Sequence, residues 1–150
     1  MEESNELLVL FKHDIRRLLE KYDAKRTAER IIFQNERIKL VDCENLNKNK
    51  VLVIRCENET DIKVLNALFK SLGIIAETGA NDDKSLVDLF FRDNELIASY
   101  VLWSPIEING YIRKKRSITF KEFKKLVSKD VNLLIQNIQR KVVLEWKNNG

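Results

Sequence analysis

Glycine, proline, cysteine and histidine are all scarce in this chain, and each scarcity removes a class of function. Four glycines and one proline among 150 residues rule out collagen-like or low-complexity character. They also leave too little glycine for a phosphate-cradling loop. No Gly-x-x-x-x-Gly-Lys occurs, and Gly73 and Gly79 lack the spacing of a dinucleotide fingerprint. Two cysteines, Cys43 and Cys56, cannot build a disulfide framework, so a reducing cytoplasmic setting is expected. With His13, the single histidine, they fall one ligand short of a structural zinc site. Both cysteines read more simply as small apolar strand residues. His13 falls on the polar side of a helix, and no Gly-x-Ser-x-Gly elbow presents a nucleophile to it. Long apolar runs are missing too. Leu7 to Phe11 is only five residues and follows glutamates, so neither a secretory signal nor a membrane span is expected.

What is present is a globular composition with uneven charge. The chain is 44% hydrophobic and 33% charged, with a net charge of +4, enough apolar material for a core. Residues 40–112 carry seven basic against twelve acidic side chains, whereas residues 113–141 carry ten against two. Clustered positive charge attracts polyanions and speeds their encounter.

Periodicity divides the chain into helical ends and a β-rich middle. Asn5 to Tyr22 places Leu8, Phe11, Ile15, Leu18, Leu19 and Tyr22 on one helical face. Asp23 is positioned to cap a second helix over Ala24 to Phe33. Arg37–Cys43 and Lys50–Cys56 are β-branched runs around a polar connection at 44–49, the pattern of a hairpin. Asn58 and Gly73 bracket a helix with Ile62, Leu65, Leu68, Phe69 and Leu72 on its core side. With a strand over Ile74–Thr78, residues 50–78 make a β-α-β unit whose strands should run parallel. Gly79 to Lys84 reads as a loop. Leu86–Phe91 and Glu95–Trp103 form a hairpin around Asp93-Asn94, and Ile106–Ile108 and Tyr111–Arg113 another around Asn109-Gly110.

Thr119 and Glu122 spell a capping box, with Ile118 and Phe123 placed for a hydrophobic staple. The apolar stripe then runs through Val127, Val131, Leu134, Ile138 and Val142. Since Ser128 could open a second helix, 119–146 is one long helix or two. The expected architecture is α+β, one domain over residues 1–150. A mixed or mostly antiparallel sheet of roughly five to seven short strands within 36–116 packs against helices at 5–33 and 119–146.

Two constellations could carry chemistry. The acids Asp82, Asp83, Asp88, Asp93, Glu95 and Glu107 could gather Mg²⁺ for phosphodiester cleavage, with Lys84 the only nearby base. Turn positions explain them more simply, so no metal, cofactor or catalytic group is expected. The second constellation is basic. Arg113, Lys114, Lys115 and Arg116 lie between a tight hairpin and the capped helix, and Lys121, Lys125, Lys129 and Arg140 project opposite its apolar stripe. On one continuous helix, Lys121 to Lys129 would span about 12 Å, on the scale of successive phosphates. Trp103 and Tyr111 could stack on bases, although strand aromatics more often pack in a core. A second basic group, Arg16, Arg17, Lys21, Lys25, Arg26 and Arg30, is diluted by acids through spacings such as Arg16–Glu20 and Arg26–Glu29.

The sequence therefore points to a non-catalytic, nucleic-acid-associated protein, an accessory subunit of a DNA- or RNA-processing complex. Arg113, Lys114, Lys115, Arg116, Lys121, Lys125 and Lys129 would contact the backbone without reading sequence. The alternative is a protein-interaction module, an inhibitor, adaptor or scaffold, that binds no nucleic acid.

Overall fold

The computed structural model describes residues 2–23, 28–34, 37–43, 50–77, 85–100 and 117–149. Helix α1 covers Glu2–Tyr22, and strands β1 (Ala28–Gln34) and β2 (Arg37–Cys43) follow. Next come β3 (Leu52–Arg55), α2 (Glu59–Leu72) and β4 (Ile75–Glu77). Strands β5 (Leu86–Arg92) and β6 (Glu95–Ser99) precede β7 (Ile118–Thr119). Helices α3 (Phe120–Leu126) and α4 (Lys129–Asn149) end the order. The class is α+β. A five-stranded mixed sheet of order β4-β6-β5-β3-β7 accompanies a two-stranded β1-β2 sheet.

Local signals built several elements as expected. The Asn58 side chain accepts the Asp61 N–H at 2.9 Å, and Gly73 closes α2 at φ 72°, where a Cβ would be strained. There the Gly73 N–H donates to Lys70 O, and the Ile74 N–H reaches back to Phe69 O at 2.9 Å, satisfying carbonyls that the helix end leaves open. Asp93 and Asn94 take φ of 51° and 66°. Two consecutive left-handed residues give the turn twist that antiparallel β5 and β6 require.

Other expectations are corrected. Ala28–Gln34 is a strand, not the end of a helix. Ala28, Ile31 and Ile32 suit helical spacing, yet the β-branched pair beside Phe33 also suits a strand. Seven register pairs, Ala28↔Cys43 to Gln34↔Arg37, decide it. β2 therefore pairs with β1 and is not the hairpin partner of β3. Instead β3 lies antiparallel to β5 and parallel to β7. The β-α-β unit holds in direction but not in adjacency. The alternating pairings make β3 and β4 parallel, with the β5-β6 hairpin between them. The loop at 79–84, the Asn109-Gly110 hairpin and residues 101–103 at the end of the expected Glu95–Trp103 strand lie outside the described residues.

The four described helices pack on one face of the larger sheet. Phe11, Ile15 and Leu18 of α1 meet Leu65, Leu68 and Phe69 of α2, Phe120 and Phe123 of α3, and Val131 and Ile135 of α4. The sheet contributes Leu52, Ile54, Val87, Leu89, Leu96, Ala98 and Ile118. Each fully buried aliphatic or phenyl side chain contributes about 1.5–3 kcal/mol. Phe11 and Phe123 also meet edge to face, centroids 6.1 Å apart, an electrostatically favoured geometry for aromatic quadrupoles. Alternation sends Val51, Val53, Leu86, Phe90 and Ile97 to the other face, where they form a second buried cluster. Burial on both faces is why β3 and β5 read as continuous apolar runs. Asp88 shares that second face. It is register-paired with Ser99 and 1% exposed, inside the strand expected over Leu86–Phe91, so the turn explanation offered for the acids does not cover it.

Candidate nucleic-acid interface

The basic C-terminal region is built on two helices joined at a bend. The Thr119 hydroxyl accepts the Glu122 N–H at 3.1 Å and donates to Glu122 Oε1 at 3.2 Å, so Thr119 caps α3, with Glu122 bonded to the threonine hydroxyl. Ile118 before it and Phe123 within α3 are both buried in the main core. Helix α3 then stops. Val127 turns extended, at φ −78° and ψ 162°, and α4 starts at Lys129. Of the two arrangements left open for 119–146, two helices form, with Ser128 directly before the second, and the 12 Å spacing drawn along one continuous helix does not apply. The stripe shifts as well: Ile135 is fully buried whereas Leu134 is only half-buried.

Helix α1 holds this bend in place. Asp14 is 5% exposed, and its Oδ2 accepts the Ser128 N–H at 2.9 Å. Its Oδ1 pairs with Arg17 at 3.2 Å, and the same guanidinium donates to Leu126 O at 2.7 Å. One carboxylate thus satisfies an open N–H ahead of α4, and one arginine satisfies an open C=O at the end of α3. Neither partner is visible from the spacing within α3 and α4. The one sequence sign is that Asp14 stands three positions after Phe11 and four before Leu18, on the apolar side of its helix. Within the bend, Asn132 Nδ2 also donates to Lys124 O.

Among the expected contacts, Lys121, Lys125 and Lys129 are all exposed. Among the described residues none of the three has a carboxylate partner, nor do Arg140, Lys141 or Lys147. Lys121 and Lys125 lie one turn apart on α3, and Lys129 opens α4 beyond the bend. Lys124 differs: it is half-buried and sits 5.2 Å from the Phe120 ring centroid. Arg113, Lys114, Lys115 and Arg116, and the aromatics Trp103 and Tyr111, lie outside the described residues.

The described part of the N-terminal basic group, Arg16, Arg17 and Lys21, is engaged by the fold itself. Arg16 stacks 4.3 Å from the Phe91 ring centroid and does not pair with Glu20, which instead takes Lys50 at 2.5 Å. Lys21 lies over Tyr22. Lys25 and Arg26, and hence the Arg26–Glu29 pair, are outside the described residues, as is the side chain of Arg30. His13 is exposed. Cys56 is buried, and that burial, with Asp61 adding to it, pushes its thiol up to about 12. A thiol that holds its proton so firmly is a poor nucleophile and metal ligand. Burial likewise raises the Tyr100 phenol, whose hydroxyl donates to Asn66 Oδ1.

Among the described residues, no three His, Cys, Asp or Glu side chains gather as metal ligands. Asp82, Asp83 and Glu107 lie outside the described residues. Two polar atoms, Arg55 Nε and the Oγ of Ser128, the residue expected to open the second helix, are buried with no hydrogen-bond partner among the described residues. No described helix is long and apolar enough to cross a membrane. The chain matches no family model, no curated protein and no solved structure.

Proposed function

We propose that this protein is a non-catalytic, nucleic-acid-associated subunit working in the cytoplasm, and that the basic bend between α3 and α4 holds a phosphate backbone. The observation that carries this reading is the contrast in how cations are used. Arg17, Lys50 and Arg92 are consumed in ion pairs and Arg16 in a ring contact. Lys121, Lys125 and Lys129 stand exposed without a carboxylate partner among the described residues. Unneutralised surface cations are the groups that gain most from displacing the counterions of a polyanion. The run Arg113–Arg116 extends the same proposed contact, and the absence of a base-reading motif in the sequence favours binding without sequence preference.

The test is anisotropy of labelled single- and double-stranded oligonucleotides at two salt concentrations. Binding that weakens with salt is expected, and no binding at low salt ends this reading. The second reading, a protein-interaction module, has its own support in the exposed Leu133, Val143 and Leu144 of α4.

A further inference from the structure

Helix α4 outgrows the core it packs on. Its buried side chains, Val131, Ile135 and Ile138, all belong to its first half. After Ile138 the helix continues to Asn149, about 16 Å further along the axis, where half-buried Val142 is the one apolar side chain among those described that packs on the core. An isolated helical segment of that length is marginal in water. Yet this extension carries the large apolar side chains Val143 and Leu144, 45% and 58% exposed.

Placement around the axis organises them. At 100° per residue, Leu144 returns to within about 20° of Leu133, itself 48% exposed. Arg140 falls between the two along the axis, also about 20° from Leu133, and Lys147 extends the line. Glu145, the one carboxylate after Ile138, projects about 120° away. Asp130, three positions before Leu133 and about 60° from it, is the one acid near this line and lies in the first turn of the helix. Beyond Leu133 the outer face is leucine flanked by cations, with no acid on it.

We propose that this outer face of distal α4 is a docking surface for a helical polypeptide segment whose apolar stripe is flanked by Asp and Glu. Charge complementarity selects that occupant. A phosphate backbone would reward Arg140 and Lys147 but leave Leu133 and Leu144 uncovered. The same face of a second copy would bring cation against cation. An acidic amphipathic helix covers the leucines and neutralises the cations together, as in helix-against-helix recognition. Covering Leu144 also removes water from Arg140, and a desolvated arginine–carboxylate pair is stronger than an exposed one. This surface uses residues beyond the α3–α4 bend, so the two proposals stand or fall separately.

The probe is a labelled helical peptide with Leu at the a and d positions of its heptads and Glu at e and g. A control carries Lys at e and g. Binding of the glutamate peptide to the full chain is expected, with none of the lysine peptide. Leu144→Gln and Arg140→Gln should each weaken binding by about tenfold, as for a residue central to an interface. Unchanged unfolding curves would show that both variants fold, and Lys121→Glu with Lys125→Glu should leave peptide affinity intact. Failure of the glutamate peptide to bind overturns the proposal, as does binding indifferent to Leu144→Gln. Phosphatidylserine vesicles captured with the same Leu144 dependence would assign the face to lipid. A dimer in sedimentation that Leu144→Gln disperses would assign it to a second copy.

Discussion

Asp14 in the first helix caps the last one: its carboxylate accepts the backbone N–H of Ser128, 114 positions along the chain, at 2.9 Å. The Ser128 hydroxyl, the expected local cap, has no hydrogen-bond partner among the described residues. The charged acceptor meets the positive end of α4, where anions are favoured. Asp14→Ala should therefore cost about 1–3 kcal/mol, the penalty for leaving a buried donor without its charged acceptor. Urea unfolding midpoints measure it. A shift of a few tenths would mean that water replaces the carboxylate freely.

Thr119 caps α3 locally and should behave more modestly. Thr119→Ala is expected to cost about 1 kcal/mol, and Thr119→Ser to cost little, because the hydroxyl that accepts the Glu122 N–H is kept. Thermal unfolding of the two variants side by side separates the cap from the loss of a methyl group.

The β5-β6 turn gives a backbone prediction. Asn94 sits at φ 66°, where most side chains are strained. Asn94→Ala should destabilise by about 1 kcal/mol, and Asn94→Gly should match or exceed wild type. Equal stability of the alanine and glycine variants would contradict the left-handed turn.

Alkaline pH should loosen the fold through Cys56. In an unfolded chain a thiol loses its proton near about 8.5, whereas the folded Cys56 keeps it to about 12. Between those values the folded state binds more protons. Stability is complete below the lower value and falls as pH rises through the window. The raised Tyr100 phenol acts in the same direction. Cys56→Ala should flatten the decline between about pH 8.5 and pH 10.5, and the native thiol should resist alkylation at pH 8 until the protein is unfolded.

Charge at the bend completes the set. Reversal of Lys121, Lys125 and Lys129 should weaken oligonucleotide binding, with each lost phosphate contact reducing the log–log salt slope by about one. Unfolding should shift by under about 0.5 kcal/mol per change. By contrast, Ile135→Ala should cost about 2–5 kcal/mol with salt dependence unaltered.

What could be read from the sequence was whatever a few neighbouring residues determine. Asn58, Gly73, Asp93-Asn94 and the Thr119 cap each act within about one turn of chain, and each appears where expected. The errors arose where a distant partner decides. Ala28–Gln34 is a strand through its register with β2. β3 takes partners from Leu86–Leu89 and Ile118–Thr119 that no local pattern announces. The apolar stripe from Phe123 to Val142 fits one helix or two, and what decides between them is distant: long-range bonds to Asp14 and Arg17 frame the bend there. Exposure of Lys121, Lys125 and Lys129 followed from periodicity, while their arrangement about the bend did not.

The parallel strands β3 and β4, held apart by a later hairpin, constrain the order in which the chain can fold during synthesis. When Glu77 has left the ribosome, β3 and β4 both exist in sequence, yet neither has a neighbour in the larger sheet until Leu86–Ser99 follows. The far side of β3 stays open longer, until Ile118 and Thr119 arrive. A nascent chain therefore carries apolar strand segments with unpaired edges through much of its length, the condition that favours misassociation. Fragments ending between Glu77 and Leu86 should aggregate, and those ending beyond Thr119 should be the first in which β3 is paired on both sides.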